Sequence, residues 1–173
     1  MGMYLGMALA LCLSIIGGIG IPLIARDVLM SSDIDIFLLL IAMACALSVI
    51  FCLIAFLIAI QYDNKVKGFS IAIFVWLFFA IIYDGVFLLM LLGLKDFPLD
   101  KFTISMVVLN PIDLARIMIL MKLDMSVMMG YTGAVLTKFL GRGVGMFVVS
   151  CSLIVWIIAP LWRLCVIDEK KYF

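Results

Sequence analysis

Side chains that could do chemistry are few in this chain, and the most informative ones are charged or amide groups within or beside long apolar segments. Asp84 lies well inside such a segment, where a carboxylate is costly and usually faces a bundle interior or a water-filled cavity. A short stretch further along carries the others: Asn110, Pro111, Asp113 and Arg116. Two interpretations of Asp84 stay open. It belongs to a transport path or gate, or it is a structural acid, protonated or paired with a cation such as Arg116.

The Asn110-Pro111 pair predicts the start of a helix. Asparagine is a good N-cap, and proline at the first helical position costs no hydrogen bond. Asp113 then falls in the first turn, where the positive end of the helix dipole favours a carboxylate. Arg116 lies three residues further on and can share its face. The apolar sequence from Ile117 is too short for a full span, so we expect an amphipathic or re-entrant helix at the outer side of a membrane.

Several kinds of chemistry are excluded by residue type. The chain has no histidine, which removes Ser-His-Asp catalysis and imidazole metal sites. Its five cysteines lie within or at the end of apolar segments, and Cys45 and Cys52 could share a helix face. Met118, Met121 and Met125 recur at helical spacing, and thioether sulfur suits Cu(I). Packing within the helix bundle explains the cysteines and the methionines better than metal binding does. No spacing of polar residues in the chain suggests an enzyme.

Composition predicts an all-α, polytopic membrane helix bundle. The 173 residues are 68% hydrophobic and 13% charged, with a mean hydropathy of +1.40. Soluble domains are nearer half apolar, with a quarter of their residues charged. Four apolar segments, at about 3–25, 36–60, 69–92 and 144–164, have the roughly 20 residues that a helix needs to cross hydrocarbon. We expect one transmembrane domain over 1–173, with an outer loop at 93–143.

Glycines interrupt the pattern in two places. Gly17, Gly18 and Gly20 precede Pro22 in the first span and indicate tight helix packing or a hinge, with packing favoured. A second group, Gly141, Gly143 and Gly145, stands just before the last span. No strand precedes it, so a dinucleotide-binding loop is excluded, and we expect a flexible lead-in to the helix.

Basic residues in the loops predict the orientation in the membrane. Lys65 and Lys67 lie between the second and third spans, and Arg163 and two further lysines follow the fourth. Because short cytoplasmic loops are rich in Lys and Arg, both termini are predicted to be cytoplasmic. The same turn, with Asp63, could dock on a cytoplasmic partner or merely reverse the chain. The net charge of +1 gives no indication of nucleic-acid binding.

Three stretches carry a resemblance to a known family. They are the charged turn at 63–67, the aromatic-rich helix segment at 74–84 that ends in Asp84, and the Asn-Pro-Ile-Asp-Leu-Ala-Arg segment at 110–116. Residues 130–133, Gly-Tyr-Thr-Gly, also contribute to the resemblance. Together they resemble the NosY-like permeases of the nitrous-oxide-reductase maturation ABC transporters, within the ABC-2 permease family.

The resemblance implies a permease homodimer that works with a cytoplasmic ABC ATPase and a periplasmic accessory protein. Such a system supports assembly of the copper sites of nitrous oxide reductase. ATP would be bound by the partner, since this chain has no P-loop. By analogy, Asp63, Lys65 and Lys67 would face the ATPase, and Asp84 would lie along the helix bundle. The outer helices that close the path would be shaped by Asn110, Pro111, Asp113 and Arg116.

Members of that family have six spans, so the four spans here would correspond to the third through sixth. Met1 opens almost directly into the first span, which is typical of an internal helix. We therefore expect a longer protein whose first two spans are missing here, or a start codon placed too late. Two alternatives remain: an ABC-2 permease for another cargo, and a non-transporting four-helix membrane scaffold.

Overall fold

The computed structural model describes residues 2–25, 34–93, 100–123 and 130–171, with side chains described at 2–22, 34–93, 103–123 and 143–167. Within these ranges the protein is helical and has no strand. The helices are α1 (Gly2–Ala25), α2 (Ile34–Gln61), α3 (Lys65–Leu77), α4 (Tyr83–Gly93), α5 (Asp100–Val108), α6 (Pro111–Lys122) and α7 (Gly130–Lys171). A π-helical segment, Phe78–Ile82, joins α3 to α4 without a break.

Four stretches are long and apolar enough to cross a membrane: Gly2–Pro22, Ile34–Gln61, Lys65–Gly93 and Gly143–Ile167. They agree with the four predicted spans to within a few residues, so the all-α multi-pass architecture is confirmed. The agreement has a simple cause, because hydrocarbon thickness fixes the length of apolar helix that a sequence must supply.

The turn between the second and third spans is shorter than predicted. The sequence pattern placed residues 61–68 in a charged loop, but α3 begins at Lys65. Asn64 caps it, since its side-chain oxygen accepts hydrogen bonds from the backbone N–H groups of Val66 and Lys67, at 3.0 and 3.3 Å. Lys65 and Lys67 therefore stand on the first turn of a helix.

The predicted outer loop at 93–143 is largely helical. It contains α5, α6 and the first part of α7, which continues unbroken from Gly130 through the three glycines at 141, 143 and 145. The expectation of a flexible lead-in was therefore wrong. One glycine costs a helix only about 1 kcal/mol relative to alanine, and a helix that is already formed propagates through such positions.

Helices α5 and α6 form a re-entrant hairpin. At its tip, Asn110 bonds to Phe79, the central residue of the 29-residue third span. At the other end of α6, Lys122 Nζ lies 3.8 Å from Asp35 Oδ2, at the start of the second span. The hairpin thus reaches about half the depth of the bundle and returns. Of the two interpretations, amphipathic surface helix or re-entrant helix, the structure supports the second.

The hairpin is held by an apolar core rather than by its loops. Its core residues are buried between the second and fourth spans, against Ile50 of α2 and Val149 and Leu153 of α7. The hairpin side chains in this core are Val107, Leu114, Ile117, Met118 and Met121. Since interiors are closely packed, these contacts fix the depth at which the tip of the hairpin lies.

Helix α1 packs on α2 by one narrow face, where Tyr4 and Ala8 are buried against Leu53. A Cβ atom added at Gly17, Gly18 or Gly20 would meet nothing within 4 Å. The predicted tight packing at these glycines is therefore not found among the described residues.

Candidate functional site

The candidate site is built on Asn110, which is fully buried at the tip of the hairpin. Its side-chain oxygen accepts a hydrogen bond from the N–H of Ile112 at 3.0 Å, so Asn110 is the predicted N-cap of α6, and Pro111 takes the first helical position. Its amide nitrogen donates to Phe79 O at 3.1 Å and to Asp113 Oδ2 at 3.0 Å. One side chain therefore caps α6, orients the carboxylate of Asp113 and ties the hairpin to the third span.

The bond from Asn110 meets the third span at its π-helical segment. Tyr83 N–H bonds to Phe78 O, five residues back instead of the usual four, which shifts the register of the backbone hydrogen bonds. Phe79 lies within this segment, and its carbonyl accepts from Asn110. Single π turns inside α-helices are frequent at functional sites. No feature of the Phe-Phe-Ala-Ile-Ile sequence indicates this turn.

Arg116 lies between the two carboxylates of the cluster. Its Nη1 atom is 3.1 Å from Asp84 Oδ2 and 3.4 Å from Asp113 Oδ1. The pairing of Asp84 with Arg116 was one of the interpretations that the sequence left open, and the structure contains it. The i,i+3 pair expected within α6 is also present. The Arg116 side chain is 53% exposed and that of Asp113 only 12%. The pair to Asp84 is the ionic link between the hairpin and the third span.

Asp113 is the titratable centre of the cluster. Burial raises the pKa of its carboxyl from 3.8 to about 6, and the negative charge of Asp84 acts in the same direction. Arg116 and the hydrogen bond from Asn110 lower this pKa and so limit the rise. A carboxyl of this kind can bind or release a proton near neutral pH.

Two aromatic side chains satisfy the end of α5. Tyr83 donates its hydroxyl hydrogen to Met106 O at 2.6 Å, and Trp156 donates its indole N–H to Val108 O at 3.0 Å. The last carbonyls of a helix have no partner within the helix, and in lipid such groups must be satisfied by the protein. Tyr83 and Trp156 were not predicted as site residues, although a buried Tyr or Trp usually uses its polar atom in this way.

Aromatic packing surrounds the same point. The Phe79 ring meets Trp156 edge-on with centroids 5.5 Å apart, and it meets Phe51 at 6.3 Å. The second, third and fourth spans therefore converge on the tip of the hairpin. Pairs of this geometry add about 0.5–1.5 kcal/mol beyond the area that they bury.

The second set of predicted site residues, Asp63, Lys65 and Lys67, is not part of this cluster. All three are exposed at the far end of the third span. Fourteen residues of helix separate Lys65 from Phe79, or about 21 Å. The third span thus has the charged turn at one end and the Asp84 cluster in its second half, on one continuous helical rod.

The sulfur side chains contribute packing. Met118 and Met121 lie in the apolar core of the hairpin, and Cys45 and Cys52 are half-buried free cysteines of α2. Met125 lies outside the described residues. Within the described part of the chain, no group of three or more His, Cys, Asp or Glu side chains could hold a metal ion.

The fold and this cluster define the class of the protein: a multi-pass α-helical membrane protein with a re-entrant hairpin and an ion-pair cluster at its tip. Comparison of the chain with protein-family models, curated proteins and solved structures gives no match. The residues of the cluster and their surroundings are therefore the basis for assigning a function.

Proposed function

We propose that this chain is the membrane-spanning permease subunit of an ABC transporter of the ABC-2 type. The observation that carries the proposal is the re-entrant hairpin, whose tip reverses at mid-span and is joined to the third span by Asn110 and the Arg116–Asp84 ion pair. The residues that carry the family resemblance around Asp84 and Asn110–Arg116 are the ones that meet there.

Membrane transporters use this kind of arrangement. Non-helical backbone at membrane depth is tolerated only where protein buries it or where it lines a cavity. Transporters place the ends of half-helices near the bilayer midplane, where the exposed backbone groups and helix dipoles handle polar cargo. Charged groups at that depth are costly and commonly mark a pathway or a gate. A hairpin that served only as an anchor could be apolar throughout.

The cluster supports a gating role for the hairpin. Apolar contacts with α2 and α7 hold one side of it, while Arg116 and Asp84 hold the other. Separation of this ion pair would let the hairpin move relative to the third span without breaking its apolar core. Arg116 keeps Asp113 as a partner on its own helix, so the charge of the arginine is not left unpaired.

The energy for this movement is assigned to a cytoplasmic ATPase. The turn with Asp63, Lys65 and Lys67 is the contact that we assign to that subunit, and the third span connects it directly with Asp84. This assignment puts the turn and both termini on the cytoplasmic side of a bacterial inner membrane. The chain itself carries no catalytic function in this scheme.

The family resemblance extends the proposal to cargo and partners. The transporter would be a permease homodimer with an ABC ATPase and a periplasmic accessory protein, acting in the maturation of the copper sites of nitrous oxide reductase. Deletion of the gene tests this part. Loss of nitrous oxide reduction supports it, whereas loss of a different envelope function would assign the same permease to another cargo.

The permease assignment is tested by affinity purification of the tagged chain from its native membranes. We expect an ATPase with a P-loop to co-purify, and its ATP hydrolysis to respond to Arg116→Gln and Asp84→Asn. Arg163→Gln, a charge change at an exposed position of α7, is the control and should leave hydrolysis unchanged. A chain that purifies without an ATPase and keeps its cellular role in both cluster variants would be a membrane scaffold.

A further inference from the structure

A groove runs along the outer surface of the second and third spans. Three adjoining cavities of about 290, 300 and 410 Å³ form it, and neighbouring cavities share lining residues. Its floor is made of small side chains: Ser48, Ala55 and Ala59 from α2, and Gly68 and Ala72 from α3. Small residues on both helices leave room for a slender apolar chain.

Large apolar side chains form the walls of the groove. Phe51 of α2 and Phe69 and Trp76 of α3 line it, and more than half of the surface of Phe69 and Trp76 is exposed. Lys65, Phe69, Ala72 and Trp76 follow one another at i, i+4, i+7 and i+11 and so share one face of α3. The groove is therefore apolar along its length and has a lysine at one end.

That end carries positive charge. Lys65 lines the groove there beside Tyr62, and Lys67 lies with its ammonium group 5.9 Å from the centre of the Tyr62 ring. Neither lysine has an ion-pair partner in the part of the chain that the structure describes. The one acid of the turn, Asp63, does not line the groove. Because this turn joins two spans, it lies at a membrane–water interface, where lysine attracts anionic lipid.

The length of the groove matches one leaflet of a bilayer. Its lining runs from Tyr62, the residue after α2, to Leu47 within α2, fifteen residue steps or about 22 Å at the rise of a helix. Half of a bilayer, with its headgroup region, is about 20–22 Å thick. At its inner end the groove reaches Ile112, two residues from Asn110 in the hairpin.

We propose that this groove is a binding site for an anionic phospholipid, with its phosphate at Lys65 and Lys67 and an acyl chain along Phe69, Ala72 and Trp76. The charge at the interfacial end selects the headgroup, and the small-residue floor accepts the chain. A helix from another subunit would match the apolar walls but not the two unpaired lysines. The tail of the lipid would end against α6 and so touch the hairpin.

The test is native mass spectrometry of the 173-residue chain, purified in mild detergent and incubated with either phosphatidylglycerol or phosphatidylcholine. We expect phosphatidylglycerol to be retained in preference to phosphatidylcholine. The double variant Lys65→Gln/Lys67→Gln should lose about 25-fold in phosphatidylglycerol retention, since each interfacial lysine contributes about fivefold. The matched control for charge is Arg163→Gln, which should retain the lipid as the unmodified chain does.

A second pair of variants tests the groove itself. Ala55 is exposed on the floor of the groove, so Ala55→Leu fills it without disturbing the core, whereas Ala159→Leu adds the same atoms to an exposed position of α7. We expect lipid to be lost from the first variant and kept by the second. Equal retention of both lipids by the unmodified chain would overturn the proposal. The proposal would also be overturned if the Ala55→Leu variant kept its lipid but no longer formed a dimer with a second copy of the chain.

Discussion

Asn110→Ala should destabilise the protein far more than the same change at Asn64, although both residues are helix N-caps. Asn64 is exposed and its side-chain oxygen caps α3, so its loss should cost about 0.5–1 kcal/mol. Asn110 caps α6 in the same way, but its amide group also donates to Phe79 O and Asp113 Oδ2. The comparison therefore separates the value of a cap from that of the buried tie between hairpin and span.

The magnitude follows from the groups that would be left unpaired. Loss of the cap at Asn110 costs about 1 kcal/mol. The partly buried carbonyl of Phe79 also loses a donor, and an acceptor left unsatisfied costs roughly 1–3 kcal/mol more. We expect Asn110→Ala to lower the free energy of unfolding by about 2–4 kcal/mol.

The measurement is reversible unfolding of the purified chain in mixed detergent and sodium dodecyl sulfate micelles, followed by helical circular dichroism. Asn110→Asp refines it, because aspartate caps as well as asparagine but has no N–H to donate to Phe79. That variant should keep the cap and still show most of the destabilisation that we expect of Asn110→Ala. If Asn110→Ala costs no more than Asn64→Ala, the tie to Phe79 does not hold the hairpin, and the structural basis for a gate fails.

Three further predictions use the same measurement. Trp156→Phe removes the donor to Val108 O and should lower the free energy of unfolding by about 1–3 kcal/mol. The control is Trp162→Phe, at a position 72% exposed, which should change it little. Equal losses in the two variants would contradict the role of the indole N–H. Asp113 has a folded-state pKa raised from 3.8 to about 6, so folding favours its protonated form, and the free energy of unfolding should fall as pH rises from about 4 through 6. Asp113→Asn should remove that dependence, and an unchanged pH profile would show that another group causes it. Gly143→Ala should stabilise the chain by about 0.5–1 kcal/mol, because a Cβ there meets nothing within 4 Å, and a loss of stability would contradict the open surroundings of α7.

The parts of the structure that the sequence predicts are those set by local rules. The four spans follow from apolar length, since within the described residues no other stretch is long and apolar enough. The start of α6 follows from Asn110-Pro111, because capping depends on residues within one turn. The pair between Asp113 and Arg116 follows from their spacing of three on one helix.

The parts that the sequence does not predict depend on how distant segments align. The bond from Asn110 to Phe79 O joins residues 31 apart, and it connects the tip of the hairpin with the π turn of the third span. The bond from Trp156 to Val108 spans 48 residues, and nothing local separates Trp156 from the other aromatic residues of an apolar helix. The start of the last helix, α7, was predicted too late for a different reason. The three glycines indicated a flexible segment, although the residues around them favour a helix.

The contacts at the tip of the hairpin differ in how easily they can be broken, and this difference indicates where movement would occur. Asn110 itself is fully buried, so breaking its bonds leaves its amide group without partners in a site that water does not reach. The Arg116–Asp84 pair is partly exposed, and Arg116 keeps Asp113 as its partner when that pair separates. An exposed ion pair contributes less to stability than a buried hydrogen-bonded group, so less free energy is needed to break it. The hairpin should therefore pivot at Asn110 and open at Asp84, which places the movable contact on the helix that leads to the charged turn.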